Sequence, residues 1–204
     1  MLGIADYGAF VAAVIVFLMI PGPGNLALIN STGKGGVPAG LAATFGVIAG
    51  DQCLLWLAVA GVATLLASYP SAFHAVQWSG AAYLAWLGAR MVLAKPGSAP
   101  VLVIKPRHYF RQAMTITLLN PKAIVFYMAF FPLFVDPAHH QGVRTFALMA
   151  ATIAVLTFLY GLTVVMLTHF LAVRIKTLPW FSRALEKTAG VILIGFGVRL
   201  ALNR

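Results

Sequence analysis

Long apolar runs, rather than strict alternation, organise this chain, and polar residues gather in the gaps between them. A bilayer-spanning helix needs ~20 mostly apolar residues, and the runs predict six such helices. They cover about Tyr7–Ile29, Gly40–Leu66, Ser71–Leu93, Phe110–Val135, Thr145–Leu171 and Leu185–Leu202. The gaps carry loop chemistry: "NSTGKGGVP", "SYPS", "KPGSAPVLVIKPRHY", "DPAHHQG" and "RIKTLPWFSR". Several runs exceed the minimum length, so tilt is expected.

Composition sharpens that picture. The 204 residues are 61% hydrophobic and 9% charged, whereas a soluble domain averages roughly 45–50% apolar and about 25% charged. A globule would lack the polar surface to coat itself. The 14 Lys and Arg against 4 Asp and Glu lie mostly between the runs. No nucleic-acid motif accompanies them, so the partner they imply is an anionic membrane surface. Lys34, Lys95, Lys105, Arg107, Arg111, Arg174, Lys176 and Arg183 collect on one side, with Arg90 and Lys187 just inside it. Arg144, Arg199, Arg204, Asp6 and Asp136 fall on the other. The positive-inside rule puts the first group in the cytoplasm and both termini outside. No Lys or Arg precedes the first run, so it is expected to be a retained span rather than a cleaved signal. The one cysteine, Cys53, excludes an internal disulfide or a CxxC pair.

The chain also resembles itself. "FVAAVIVFLMIPGPGN" from Phe10 matches "FRQAMTITLLNPKAIV" from Phe110 at Phe10/Phe110, Ala13/Ala113 and Pro21/Pro121, an offset of 100. "SGAAYLAWLGARMVL" from Ser79 matches "TAGVILIGFGVRLAL" from Thr188 at Gly88/Gly197 and Arg90/Arg199, an offset of 109. Helices two and five show no convincing identity. An odd number of helices per half turns the second half upside down. The expected fold is therefore all-α and polytopic, with six transmembrane helices as two inverted three-helix repeats. The first repeat is 1–94, the cytoplasmic loop 95–109 and the second repeat 110–204, in a single domain. Such inverted repeats are a transporter architecture, with sites at broken helices near the midplane.

"PGPGN" at 21–25 supplies a break. Pro21 and Pro23 lack an N–H and free carbonyls in the turn before them; Gly22 and Gly24 permit unusual backbone. "NP" at Asn120–Pro121 repeats the device, with Asn25 and Asn120 adding amides. Freed carbonyls can hold a cation or ammonium, and a helix N-terminus can hold a carboxylate. An amino acid carries both groups. A plain kink relieved by neighbouring helices is the competing reading.

Two ionisable residues lie deep. Asp51 is 13 residues from Pro38, roughly 20 Å in at 1.5 Å per residue. A lone carboxylate there costs at least ~2.5–3.5 kcal/mol, so Asp51 is a candidate for substrate-amine binding or proton coupling; a structural contact between helices is the alternative. Lys122 is 11 residues past Arg111, roughly 17 Å from the same side. It is expected either to share a cavity with Asp51 or to snorkel to the cytoplasm. Gln52, Tyr83 and Tyr160 are candidates for lining a path. No metal site is expected at His139 and His140, which have no carboxylate set nearby, and nothing calls for a cofactor.

"PGPGN" at 21–25, "GVIAGD" at 46–51, "AAYLAWLG" at 81–88 and "LLNPKA" at 118–123 together resemble the lysine exporter (LysE/RhtB) family of small bacterial efflux transporters. The resemblance covers nearly the whole chain and sits closer to its homoserine, threonine and leucine exporters. It implies export of amino acids or related solutes across the inner membrane, driven by the proton motive force. It also implies that Pro21, Pro23, Asp51, Asn120, Pro121 and Lys122 belong to the translocation core. A homo-oligomer is a candidate assembly for so small a chain. A cation or metal efflux protein of similar architecture is the alternative, and it would want more His, Cys or carboxylate ligands than the single deep Asp51. Enzymatic chemistry is not expected: no HExxH, GxSxG or nucleotide-binding loop is present.

Overall fold

The computed structural model describes residues 3–4, 6–20, 22–68, 107–135 and 141–171, with isolated helical positions at Ala82, Trp86, Ala89, Leu93 and Val191. The rest of the third and sixth expected spans, and the loop through 106, lie outside the described residues. So do Pro21, Tyr83, Arg90, Asp136, His139, His140 and Arg199. Among the described residues every regular element is helical. One isolated antiparallel bridge joins Ile4 to Val135.

α1 (Tyr7–Met19) starts where the Asp6 carboxylate accepts the Ala9 N–H at 2.9 Å, a side-chain cap for an otherwise orphaned donor. It ends at Ile20, whose backbone is extended (φ −63°, ψ 118°). A residue before proline is driven out of the helical region by the ring, and Pro21 follows. The chain becomes helical again in α2 (Pro23–Ser68).

The expected loop over "NSTGKGGVP" is a correction: α2 remains helical through Lys34, and only Gly35 and Gly36 leave helical geometry. Gly36 takes φ +68°, a conformation that a side chain resists. A first arm, 23–34, then folds back against a second, 37–68, so that Gly40 lies on Thr32. The polar string was a poor guide because Ser31 and Thr32 are buried rather than solvated. Pro38 sits in the first turn of the second arm, where a missing N–H costs nothing.

The expected fourth span is likewise interrupted. α3 (Tyr109–Leu118) stops at Leu119, and Asn120 is extended (φ −79°, ψ 110°) before Pro121. α4 (Pro121–Val125) follows, then a π-helical turn at Phe126–Phe130 and a 3-10 turn at Phe131–Phe134. α5 (Val143–Leu171) is unbroken.

The second arm of α2 packs between α3 and α5. Small residues set the spacing: a Cβ on Gly46 would meet the Phe110 carbonyl, and one on Gly50 would come within 2.7 Å of Thr117 Cβ. The main core joins Phe10, Val14 and Phe17 of α1 to Leu55 of α2, Tyr127 and Phe131 after α4, and Met149 and Ile153 of α5. The outer surface is also apolar. Phe45, Leu57, Leu159, Leu167 and Phe170 are each more than half exposed, as suits side chains that meet lipid rather than water. Pro23–Gly61 and Val143–Phe170 are long and apolar enough to cross a bilayer by length and composition; in the first, the turn at Gly35–Gly36 leaves the second arm to make the crossing.

Candidate functional site

A helix carbonyl bonds the N–H four residues on. For Phe17 that donor would be Pro21, and for Met19 it would be Pro23; neither has one. The extended Ile20 also removes the helical partners of Leu18 and Ile20. Side chains from elsewhere serve three of these carbonyls, those of Phe17, Leu18 and Ile20. Lys122 Nζ donates to Phe17 O at 2.9 Å and to Ile20 O at 2.8 Å. It also lies 4.4 Å from the centre of the Phe17 ring, within cation–π range. That ring is stacked on Phe126, with centroids 4.0 Å apart and planes at 21°. Asn25 Nδ2 donates to Leu18 O at 3.1 Å and Ile20 O at 3.3 Å, and it contacts the Tyr160 hydroxyl at 3.0 Å.

The second break is repaired from the other end of an amide. Asn120 Oδ1 accepts the Lys122 backbone N–H at 3.1 Å, capping α4, with Pro121 at its first position. The end of α1 has surplus carbonyls and takes amide nitrogen from Asn25. The start of α4 has surplus N–H groups and takes amide oxygen from Asn120.

Asp51, on the second arm of α2, is 3% exposed. Its carboxylate is hydrogen-bonded by the Tyr127 hydroxyl. The Thr157 hydroxyl faces it as well, without meeting full hydrogen-bond geometry. Lys122 interacts with Asp51 electrostatically, but no direct ion pair within 4.0 Å joins them. Between them is a cavity of about 40 Å³ lined by Phe17, Leu18, Gly22, Gly24, Asn25, Val47, Asp51, Thr117, Asn120, Lys122 and Ala123. One water needs roughly 10–15 Å³ on this measure, so about three fit. Drug-sized ligand pockets run to roughly 300–1,000 Å³, so an amino acid needs the site to open. The Thr117 hydroxyl is buried without a hydrogen-bond partner among the described residues.

Gly22, Gly24, Asn25, Asp51, Asn120 and Lys122 are thus gathered round one cavity. Tyr160 joins through Asn25. Pro23 and Pro121 open the helices that flank it. Lys122 turns inward to α1 instead of snorkelling. Gln52 is not on the cavity wall; its amide donates to Ala150 O at 3.0 Å, tying α2 to α5. Pro21 and Tyr83 lie outside the described residues. Sequence reasoning missed Tyr127, Thr117, Thr157 and the ring of Phe17. None of the four carried a signal in the sequence: Tyr127, for one, lies in a π-helical turn, Phe126–Phe130, that follows α4. Among the described residues no group of three His, Cys, Asp or Glu side chains comes together.

A family model described as "LysE type translocator" matches residues 15–204. A leucine efflux protein of Salmonella choleraesuis is 36% identical, over 98% of this chain and 96% of that protein. One of Klebsiella pneumoniae is 32% identical over the same shares, 98% and 96%. An uncharacterized membrane protein of Pseudomonas aeruginosa is 34% identical, again over 98% and 96%. No solved structure matches the chain. The chain belongs to the LysE type translocator family.

Proposed function

We propose that this chain exports amino acids, leucine first among the candidates, across the bacterial inner membrane, coupled to protons and by alternating access of two inverted halves. Both termini lie outside in this reading. The observation that carries it is the meeting of Asp51 and Lys122 at a cavity between two proline-broken helices. Ionisable residues at membrane depth mark substrate and proton routes by default, and broken helices at the midplane are where secondary transporters bind.

The substrate's two charges have matching ends in this site. The carbonyls of Phe17, Leu18 and Ile20 suit an ammonium. The first arm of α2 starts at Pro23 beside Gly22 and Gly24, which line the cavity, and its unpaired N–H groups suit a carboxylate. Asp51, buried beside Tyr127, is the proton carrier. The leucine efflux relatives support the solute class.

The inverted repeat draws support from the two breaks. Ile20 and Asn120, 100 positions apart, have nearly the same extended backbone. Gly22 and Lys122, equivalent at that offset, touch: a Cβ on Gly22 would lie 3.6 Å from Lys122 Nζ. Residues related by a two-fold axis meet where they lie on it.

The test is efflux from proteoliposomes loaded with single amino acids under an imposed pH gradient. The intact chain moves leucine when the gradient is present, and Asp51→Asn does not respond to the gradient. No solute moved by the intact chain, or equal acceleration of Asp51→Asn by the gradient, overturns the mechanism.

A further inference from the structure

The Lys122 ammonium is held in a way that capping alone does not require. Two backbone carbonyls and the face of the Phe17 ring surround it. A neutral donor suffices for such carbonyls, and Asn25 already serves Leu18 O and Ile20 O. A buried charge carries a desolvation penalty, and Asp51 does not offset it through direct contact. The cavity beside Nζ is only water-sized while Lys122 is in place. Asp51 faces that same cavity, and the lysine stem is flexible.

We infer that the Lys122 ammonium is an internal stand-in for the solute's own ammonium, displaced from the carbonyls of Phe17 and Ile20 when solute binds. This rests on the export reading above and adds the recognised group: a primary ammonium carrying several N–H donors. The incoming ammonium takes the carbonyl cage. Lys122 then swings across the cavity and closes an ion pair with Asp51. Displacement both opens room at Gly22, against which the lysine now lies, and reports occupancy to the buried carboxylate. Without solute, the cage is self-occupied and the break in α1 is held shut. Every solute therefore binds against an intramolecular competitor, and removing the competitor tightens binding of amines.

The experiment is calorimetric titration of the full chain in detergent with L-leucine, 3-methylbutylamine, 4-methylpentanoate and tetramethylammonium. Wild type is compared with Lys122→Met and Lys122→Gln; the glutamine keeps N–H donors for the two carbonyls and guards against loss of the fold. A charge-assisted hydrogen bond is about twice as strong as a neutral one. Its loss as a competitor is expected to tighten 3-methylbutylamine binding by about tenfold or more in Lys122→Met, and by less in Lys122→Gln. Tetramethylammonium, which has no N–H, gains far less, and 4-methylpentanoate does not gain. An unchanged or weaker amine affinity in folded variants, with leucine binding intact in wild type, overturns this inference alone. An equal gain for tetramethylammonium also overturns it, because simple removal of charge then explains the result. Failure of the wild type to bind leucine removes the export reading and this inference together.

Discussion

Asn25 offers two hydrogens to three acceptors. Its Nδ2 is 3.1 Å from Leu18 O, 3.3 Å from Ile20 O and 3.0 Å from the Tyr160 hydroxyl. Truncation to alanine affects the three unequally. Ile20 O keeps Lys122 at 2.8 Å. Leu18 O has no second donor among these contacts and is left bare, at about 1–3 kcal/mol for a buried unsatisfied group. One further net hydrogen bond, about 1 kcal/mol, is lost. Asn25→Ala is therefore expected to destabilise by about 2–4 kcal/mol. Tyr160→Phe removes one acceptor from an oversubscribed donor and leaves both carbonyls served. Its expected cost is below about 1 kcal/mol, and the double variant is no worse than Asn25→Ala. Equilibrium unfolding in mixed micelles, followed by tryptophan fluorescence, measures all three. If Tyr160→Phe costs as much as Asn25→Ala, or if the two losses add in full, the accounting of donors at this break is wrong.

Two further substitutions probe the scaffold around the site. Gly46→Ala drives a methyl into the Phe110 carbonyl and to 3.0 Å from Ala113 Cβ; backbone cannot rotate away, so a loss of about 1–3 kcal/mol is expected. Gly33→Ala, which meets nothing within 4 Å, is the control and gains up to about 1 kcal/mol from helix propensity; the same unfolding assay ranks the pair. Asn120→Ala removes the acceptor for the Lys122 N–H and is expected to cost about 1 kcal/mol. On the export reading proposed above, the same change displaces the Lys122 side chain from α1, and amino-acid efflux from proteoliposomes falls by more than the loss of folded protein accounts for.

The breaks were legible because proline chemistry is local. Pro21 and Pro121 act on the residues just before them, and both Ile20 and Asn120 are extended. Asp51 and Lys122 stood out because a charge at that depth needs a reason, and counting residues placed them at similar depths. The partners of that charge were not legible. Tyr127 reaches Asp51 from a π-helical turn that follows α4, and no residue in "FYMAF" announces such a turn. Nor did sequence show that the carbonyls released in α1 would be claimed by the chain's own lysine, since that contact links residues 102 to 105 positions apart. The polar "NSTGKGG" misled for a related reason. Its Ser and Thr are buried, Thr32 against Gly40, and the turn falls at two glycines.

The contacts around the cavity of about 40 Å³ also fix how the break in α1 can yield. Lys122 and Asn25 bind the end of α1 to α4 and to the first arm of α2. None of the three shifts at this point without polar contacts to the others being given up.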